Sequence, residues 1–330
     1  MIYLVLFCVA VFLVVLGILL KRALISRDKH TGKLITSFKD TGKILPGKAF
    51  WSLIGAVAII YALSLLIPIV WMLLTSVKDP VDYSENTFGL PSKIHLENFS
   101  IVFQKFEIQA NGKIFGIVDM LLNSIIYSCG NPLVTLFWVY SMAYVMARFK
   151  FWGNTFLFNL GVLIMMITLA GSSASQMIIY KAIGLYDNLY LNIVMPPSTA
   201  FSGMYFMIIY GACKSIPQTY SEAAYIDGAG DYNVMWRIIF PMVLPTCFTI
   251  YVLTFLGLWN NYESFLVWFP SSPNIAYGLY RMQGENAGSD GLTTPQIIAG
   301  MVMVMIPSFI LYLCSQKIMK SNFVVGGLKG

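Results

Sequence analysis

Few side chains in this sequence have the type and spacing that catalysis or metal binding requires. Asp227 and Asp231 stand four residues apart, a separation at which two carboxylates can approach each other. Glycines flank them, which predicts a loop and argues against a rigid pair for metal binding or acid–base work. His30 and His95 are isolated and no cysteines form a CxxC pair, so the sequence indicates no zinc site. We therefore predict a non-catalytic chain that binds no metal and no cofactor of its own.

The stretch SIPQTYSEAAYIDGAGD, which contains both aspartates, has the signals of a short helix. Ser215 is suited to be its N-cap and Gln218 to close a capping box, with the intervening proline tolerated in the first turn. Gly228 or Gly230 is expected to end the helix, because glycine adopts a left-handed conformation at the least cost. Small or acidic side chains that suit contact with another protein lie along it: Glu222, Ala223, Ala224 and Asp227.

A second short helix is predicted to follow the glycines. Asp231 is suited to cap it, the helix would run through Trp236 and Ile239, and Pro241 and Pro245 would lead into the next apolar run. The whole stretch is thus expected to be a helix–turn–helix at a membrane surface. From the residues alone, it is either a docking surface for a partner or an amphipathic connector that only packs on its own bundle.

The composition places these elements in a membrane protein. Hydrophobic residues make up 58% of the chain and charged residues only 11%, whereas a soluble domain carries about 25% charge. Seven charge-free runs offer the roughly 20 residues that a spanning helix needs, and a bilayer selects helices over open sheets. We predict an all-α membrane protein with about seven spans: Ile2–Leu20, Trp51–Val77, Met120–Ala147, Phe151–Tyr180, Asn188–Cys213, Ile238–Tyr262 and Gly291–Gln316.

The distribution of charge predicts the orientation. Residues 21–48 carry eight basic against two acidic residues, and basic residues recur in alternate loops. The positive-inside rule puts these loops in the cytoplasm, with the amino terminus outside and the carboxyl terminus inside. The net charge of +6 therefore reflects topology rather than nucleic-acid binding. Lys21 and Arg22 follow the first apolar run, the reverse of a secretory signal, so that run is predicted to be a retained anchor.

The chain is expected to divide into four parts. They are an amino-terminal anchor at 1–20, a basic cytoplasmic linker at 21–50, a transmembrane domain at 51–317 that includes the polar loop 214–245, and a cytoplasmic tail at 318–330. The GK pairs of the linker lack the following Ser or Thr and the earlier glycine of a phosphate-binding loop. Within the segment 78–119, residues 90–106 show helical spacing, with Ile101, Val102 and Phe106 on one face, which predicts a helix on the membrane surface.

The polar loop resembles the EAA loop of ATP-binding-cassette (ABC) importer permeases. The match holds residue by residue at Glu222, Ala223, Ala224, Asp227, Gly228, Ala229, Pro241 and Pro245. The longer form IPQTYSEAAYIDGAG is similar to the carbohydrate-uptake branch, typically I-P-x-x-x-x-E-A-A-x-I-D-G-A. The stretches ENF, AYVMARFKF and the ending GGLKG agree with the maltose-transporter type. The resemblance covers roughly Trp51 to Gly330.

This resemblance implies a six-helix permease core, preceded here by one extra helix, that moves a sugar into the cell. It implies that the loop forms the coupling helix, which docks in a cleft of a cytoplasmic ATPase through Glu222, Ala223, Ala224, Asp227, Gly228 and Ala229. It implies that the tail reaches the same ATPase through Gly326, Gly327, Lys329 and Gly330. The implied partners are a second permease in a heterodimer, an ATPase dimer that binds ATP and Mg, and an external solute-binding protein.

The stretch LWNNYESF supplies the candidates for a solute path or gate: Trp259, Asn260, Asn261, Tyr262 and Glu263. Sugars are bound by aromatic faces, amides and carboxylates, because their rings carry apolar patches beside hydroxyls. Polar residues inside a membrane are costly and often functional, but Trp and Tyr also form belts at membrane interfaces. Substrate contact, gating and subunit packing all stay open for this group.

Two other functions remain as alternatives. A permease of the same kind could carry a solute that is not a sugar, such as a peptide or polyamine. An ion-coupled secondary transporter would need its own coupling-ion site, and the sequence shows neither a buried acidic pair within the spans nor an inverted repeat.

Overall fold

The computed structural model describes residues 47–166, 172–195, 203–285 and 291–325, which are mainly helical. The chain forms two compact units, residues 1–74 and 75–330, and the described part of the first lies in helix α1. The elements in chain order are α1 (Gly47–Ser76), α2 (Pro80–Glu85), α3 (Glu97–Lys105), β1 (Glu107–Ala110), β2 (Lys113–Gly116), α4 (Ile117–Arg148), α5 (Asn154–Met166), α6 (Ser172–Ala182), α7 (Leu189–Val194), α8 (Met204–Ser215), α9 (Thr219–Ile226), α10 (Asp231–Asn233), a π-helical turn (Val234–Ile239), α11 (Phe240–Trp259), α12 (Tyr262–Trp268), α13 (Ile275–Glu285) and α14 (Thr294–Val325).

Four helices within the described residues are long and apolar enough to cross a membrane. They are Ile54–Ser76, Ile117–Arg148, Asp231–Trp259 and Thr294–Met319. Each matches a predicted span, which confirms a membrane chain built mainly of helices. These helices are long enough to span a bilayer, because a helix rises 1.5 Å per residue and about 20 residues cover the roughly 30 Å of hydrocarbon.

The other predicted spans are described only in part. Phe151–Tyr180 overlaps the shorter helices α5 and α6, and Asn188–Cys213 overlaps α7 and α8. Each of these runs includes residues outside the described ranges, so the count of seven stays a prediction. The predicted anchor at Ile2–Leu20 also lies outside the described residues, as does most of the linker.

A β-hairpin between α3 and α4 adds two short strands to this helical fold. Ala110 pairs with Lys113, which leaves only Asn111 and Gly112 in the turn. Both turn residues have positive φ, 48° and 76°, as a type I′ turn requires and as Asn-Gly readily supplies. Ile108 of β1 is buried, so one face of the hairpin packs against the helices.

Helix α3, Glu97–Lys105, lies within residues 90–106, where a helix is predicted. Val102 of α3 and Phe106, which immediately follows the helix, are fully buried, and α3 packs on α14. Val102 and Phe106 both lie within 4 Å of the position that a Cβ at Gly300 would occupy. The apolar face is therefore covered by protein rather than by lipid, because α14 offers it a closer-packed partner.

Asn98 of α3 bonds to the backbone at and just after the end of helix α1. Its side-chain Nδ2 donates to the carbonyl oxygens of Ser76, at 3.0 Å, and Lys78, at 2.8 Å. Asn98 is itself buried, and the last carbonyls of a helix have no partner within the helix. This contact explains the asparagine of the ENF stretch as a structural residue.

Replacing Asn98 with alanine is expected to lower the melting temperature of the purified protein in detergent. Each of two buried carbonyls would lose the hydrogen bond from Asn98, at a net cost of about 0.5–1.5 kcal/mol. Asn260→Ala is the matched control, since Asn260 is exposed and its amide bonds only within its own helix, to Leu256. Equal melting temperatures for Asn98→Ala and the unmodified protein would contradict this role.

Buried apolar side chains of residues 75–325 form two clusters along the bundle. The hairpin-end cluster gathers α3, β1, α7, α12, α13 and α14 around residues such as Phe106, Met120, Tyr127, Trp259 and Val304. The α9-end cluster gathers α8, α9 and the π-helical turn around residues such as Tyr140, Tyr144, Phe206, Ala224 and Val243. Helices α4 and α11 contribute residues to both clusters and contact each other. They therefore join the two clusters within the described bundle.

Candidate functional site

The start of α9 differs from its prediction. Ser215 is the last residue of α8, and its hydroxyl donates to the Ala212 carbonyl at 2.8 Å. Gln218, immediately before α9, has a helical backbone and makes no side-chain cap. The predicted capping box is therefore wrong. Ile216 explains the break, because the residue before a proline is forced out of the helical region, and Ile216 is extended at φ −74° and ψ 127°.

The end of α9 confirms its prediction. Gly228 has φ +81°, a conformation that favours glycine. The Gly228 amide donates to the Tyr225 carbonyl, and the Ala229 amide donates to the Ala224 carbonyl. This pair of bonds is the Schellman motif, which satisfies the final carbonyls of the helix and turns the chain sharply.

The second short helix of the prediction is not separate. Residues from Asp231 onward run as one helix to Trp259, and no side-chain cap bond is made at the helix start. The carboxylate of Asp231 instead accepts a hydrogen bond from the Tyr225 hydroxyl at 2.8 Å. The predicted helix–turn–helix is thus corrected to one short helix, α9, that leads directly into a spanning helix.

A π-helical turn explains why Pro241 does not break that spanning helix. Pro241 has no amide hydrogen, and in an α-helix its ring would clash with the carbonyl four residues earlier. Residues Val234–Ile239 widen to π geometry, and the Phe240 amide donates to the Met235 carbonyl. The Tyr140 hydroxyl on α4 donates to the same carbonyl at 2.6 Å. The wide turn and the tyrosine together hold this segment against α4.

The predicted docking residues of α9 face in two directions. Ala224 is 6% exposed and packs in the α9-end cluster, so its small side chain lets α9 lie close to its own bundle. Glu222, Ala223 and Asp227 are exposed, as is Gly228, while Ala229 is half-buried. Among the described residues, no side-chain hydrogen bond or ion pair engages the carboxylates of Glu222 and Asp227. The outward surface of α9 is therefore small and acidic.

An apolar residue that sequence reasoning missed completes this outward surface. Ile226, at the end of α9, is 86% exposed. Tyr220 and Tyr232 are exposed on either side of it along the chain. Large exposed apolar groups rimmed by polar ones mark interaction sites. We call Glu222, Ala223, Ile226 and Asp227 the α9 surface.

Tyr225 is a second residue that sequence reasoning missed. Its hydroxyl donates a hydrogen bond to the Asp231 carboxylate across the Gly228 turn. Burial and the hydrogen bond to the Asp231 carboxylate raise the pKa of Tyr225 to about 12. The hydroxyl therefore keeps its proton and acts as a donor across the physiological range, and this contribution is lost only as the pH rises from about 10 to 12.

Trp259 and Tyr262 of the predicted path group are engaged in packing. Trp259 is 1% exposed, and its Nε1 donates to the Val304 carbonyl of α14 at 3.0 Å. Its ring stacks on Phe255 at 5.7 Å between centroids. Tyr262 stacks on Tyr280 of α13 at 4.4 Å. In this conformation both rings join helices to one another.

The other three residues of that group divide between a helix cap and the surface. Asn261 is the N-cap of α12, and its Oδ1 accepts from the Ser264 amide at 2.8 Å. Asn260 and Glu263 are exposed. The five residues are neighbours in the sequence, but their side chains have different surroundings in the structure: two pack between helices, one caps a helix and two are exposed. The tail residues Gly326, Gly327, Lys329 and Gly330 lie outside the described residues.

A groove of about 320 Å³ lies between α4 and the helix that starts at Asp231. Apolar and aromatic side chains, including Phe137, Trp236 and Phe248, line it almost completely. Phe137 and Trp236 stack at 5.5 Å. Such a lining offers few hydrogen-bonding partners to a polar solute, so the groove does not have the chemistry of a sugar site.

Comparison with known proteins identifies relatives along most of this chain. The probable ABC transporter permease protein YurM of Bacillus subtilis (strain 168) is 29% identical over 274 residues, which cover 82% of this chain and 86% of YurM. The melibiose/raffinose/stachyose import permease protein MelC of the same organism is 27% identical over 285 residues, covering 84% of this chain and 96% of MelC.

A solved structure has the same fold. It is described as a crystal structure of a bacterial ABC transporter involved in the import of the acidic polysaccharide alginate. The TM-score is 0.68 at 22% sequence identity, and the alignment covers 83% of this chain and 98% of the other. At this identity the similarity concerns the fold.

Residues 112–322, well over half of the chain, match one sequence family. That range contains α4, α9 with its surface, the spanning helix that follows, and most of α14. The chain therefore belongs to the family described as binding-protein-dependent transport system inner membrane component.

Proposed function

We propose that this chain is a permease subunit of an ABC importer that moves a sugar, an oligosaccharide or related glycoside, into the cell. The chain itself performs no catalysis. A separate ATPase, which binds ATP and Mg, would supply the energy, and an external solute-binding protein would deliver the sugar. A second, homologous permease would complete the membrane unit as a heterodimer.

The observation that carries this proposal is α9 and its surface, in a chain of a binding-protein-dependent transport family. This helix of eight residues lies between α8 and a membrane-spanning helix and presents acidic and apolar groups outward. An acidic surface with one large apolar residue suits a cleft that has basic groups and an apolar floor. Packing against the bundle accounts for the small side chain at Ala224, but it does not account for the residues of the α9 surface, which face outward.

The orientation follows from charge. Lys214 and Arg237 flank the α9 surface, and the positive-inside rule assigns their side of the membrane to the cytoplasm. An ATPase would then meet α9 there, and the tail residues Gly326, Gly327, Lys329 and Gly330 would reach the same partner. The amino terminus would lie outside and the carboxyl terminus in the cytoplasm.

Two relatives support a sugar as the solute. One is the import permease named for melibiose, raffinose and stachyose, and the other is the alginate importer with the same fold. A non-sugar solute is the alternative within the same class, because a separate binding protein would set much of the specificity. Ion-coupled transport is the second alternative and differs in its energy source.

Affinity isolation from mild detergent tests the proposal. We expect a second permease and an ATPase to co-purify, and proteoliposomes containing the complex with its binding protein to take up raffinose only when ATP is present. Uptake that persists without ATP and stops with an ionophore would overturn the importer proposal. ATP-driven uptake of a peptide in preference to raffinose would overturn the sugar assignment alone.

Replacing Glu222 with lysine is expected to reduce uptake at least about tenfold without lowering the amount of protein in the membrane. The side chain is exposed, and exposed substitutions usually change stability by less than about 0.5 kcal/mol, whereas reversed charge at an interface is repulsive. Uptake and membrane level are measured together. The matched control is Glu85→Lys, which reverses the charge of an exposed residue on α2 and should keep the ATPase bound. Normal uptake by Glu222→Lys would count against docking at Glu222.

A further inference from the structure

The loop between α4 and α5 carries a tryptophan that the rest of the chain leaves uncovered. Trp152 is 100% exposed, although tryptophan is a side chain that folded proteins normally bury over most of its surface. A large aromatic group in this position stabilises nothing within the chain. It marks a surface that another molecule covers.

Contacts on the inner side hold this loop in one conformation. The Asn154 Nδ2 donates to the carbonyl oxygens of Phe149, at 2.6 Å, and Met146, at 3.2 Å. Gly153 has φ +89°, a conformation that favours glycine. The loop is therefore closed on the end of α4, and Trp152 is held away from the bundle.

The exposed face of α5 begins next to Trp152. Helix α5 is apolar, and one side of it packs on the bundle, where Phe158 lies 4.7 Å from Tyr210 of α8 between ring centroids. Large apolar side chains are exposed elsewhere on the helix: Phe156, Leu160, Leu163 and Ile164. In a membrane chain such a face meets lipid tails. Trp152 therefore stands where that face ends, at the level of the headgroups, which is the depth that tryptophan prefers.

Two basic side chains lie beside the tryptophan. Arg148 is the last residue of the spanning helix α4, and Lys150 is exposed. The Nε and Nη2 atoms of Arg148 are buried and have no hydrogen-bond partner among the described residues, although buried polar groups are normally paired. Arg148 as a whole is only half-buried, so its long side chain can turn these donors toward a group at the surface. Phosphate suits them, because a guanidinium binds two phosphate oxygens at once.

We propose that Arg148, Lys150 and Trp152 form a binding site for the headgroup of an anionic phospholipid. Trp152 lies among the headgroups, Lys150 attracts the lipid phosphate and Arg148 binds its oxygens. A lipid accounts for all three side chains and for the apolar face of α5 beside them, whereas a carboxylate of a protein partner accounts for Arg148 alone. The orientation proposed above places the loop at the cytoplasmic face, where anionic lipids attract basic residues.

Thermal melting of the purified chain in neutral detergent, with phosphatidylglycerol or phosphatidylcholine added at equal concentration, tests the site. We expect phosphatidylglycerol to raise the melting temperature more, because a ligand that binds the folded chain stabilises it. Arg148→Gln and Lys150→Gln should each weaken the apparent affinity for phosphatidylglycerol about fivefold, the effect of one basic residue at an anionic surface. The matched control is Lys105→Gln, which changes an exposed lysine at the end of α3 and should keep full affinity.

The melting temperature without added lipid separates lipid binding from a structural role. Arg148→Gln should not lower it, because the substitution removes a buried charge that has no partner. A lower melting temperature with unchanged affinity for phosphatidylglycerol would make Arg148 a structural residue and overturn the proposal, as would equal responses to the two lipids. Inorganic phosphate is added alone in a further sample. A stabilisation as large as that by phosphatidylglycerol would show that free phosphate, rather than a lipid, is the ligand.

Trp152 provides a second, independent measurement. In nanodiscs of phosphatidylglycerol with acyl chains brominated next to the headgroup, bromine quenches the fluorescence of tryptophans at that depth. We expect Trp152→Phe to remove part of the quenched signal. Unchanged quenching would place Trp152 away from the lipid and overturn the proposal. Release of the ATPase by Arg148→Gln, with lipid binding unchanged, would overturn it in favour of a protein carboxylate as the partner of Arg148.

Discussion

Replacing Ile226 with aspartate is expected to release the ATPase from the complex and to abolish ATP-driven uptake. Ile226 is 86% exposed in this chain, so the folded permease itself loses almost nothing. Covering an isoleucine at an interface contributes about 1.5–3 kcal/mol, and placing a charge there adds a desolvation cost. At about 1.4 kcal/mol per tenfold, the expected loss of ATPase affinity is at least about 10- to 100-fold.

Co-purification of the ATPase, followed across a range of its concentrations, measures this loss. Ile94→Asp is the matched control, because Ile94 is 71% exposed but lies between α2 and α3, away from α9 in the chain. The control should retain the ATPase. If Ile226→Asp also retained it, with normal uptake, the apolar part of the α9 surface would have no role in docking.

Replacing Trp259 with alanine is expected to destabilise the folded chain by about 3–5 kcal/mol. The indole is fully buried, bonds to the Val304 carbonyl and stacks on Phe255. Its loss leaves a large cavity between α11 and α14 in the hairpin-end cluster. Thermal melting in detergent should show this as a strong fall in melting temperature and a low yield of folded protein.

Trp259→Phe separates packing from solute contact. Phenylalanine keeps most of the ring volume and removes the hydrogen bond, so a loss of about 1–3 kcal/mol is expected, with an unchanged KM for raffinose uptake. A raised KM with an unchanged melting temperature would instead restore Trp259 to the solute path. Glu263→Gln is a useful companion, since Glu263 is exposed and is expected to leave the melting temperature unchanged.

The parts of the fold that composition determines could be predicted from the sequence. About 20 consecutive apolar residues predict a spanning helix whatever its neighbours are, and four predicted spans are present as helices. The end of α9 at Gly228 was also predictable, because positive φ strongly favours glycine.

The errors at α9 have local physical causes. Pro217 acts on the residue before it, so Ile216 leaves the helical region and Ser215 ends one helix instead of capping the next. Pro241 suggested a break, but the helix absorbs it through a π-helical turn. The hairpin at Asn111–Gly112 had a recognisable signal, an Asn-Gly pair between strand-forming residues, that the all-helical interpretation passed over.

The side chains that complete the site depend on tertiary contacts and could not be read from sequence. Ile226 resembles any other isoleucine of an apolar chain until its exposure is known. Tyr225 resembles any other tyrosine until its hydroxyl is seen to bond to the Asp231 carboxylate across the Gly228 turn. Exposure and side-chain pairing are properties of the fold.

The division of the buried core into two clusters has a consequence for how the protein unfolds. Cooperative loss of structure spreads through contiguous packing. Among the residues that the structure describes, only α4 and α11 contribute side chains to both the hairpin-end cluster and the α9-end cluster. Proline interrupts the hydrogen bonding of both connecting helices, at Pro132 and Pro245. The two ends can therefore open at different free energies, and the end that carries α9 can loosen transiently while the hairpin end stays closed.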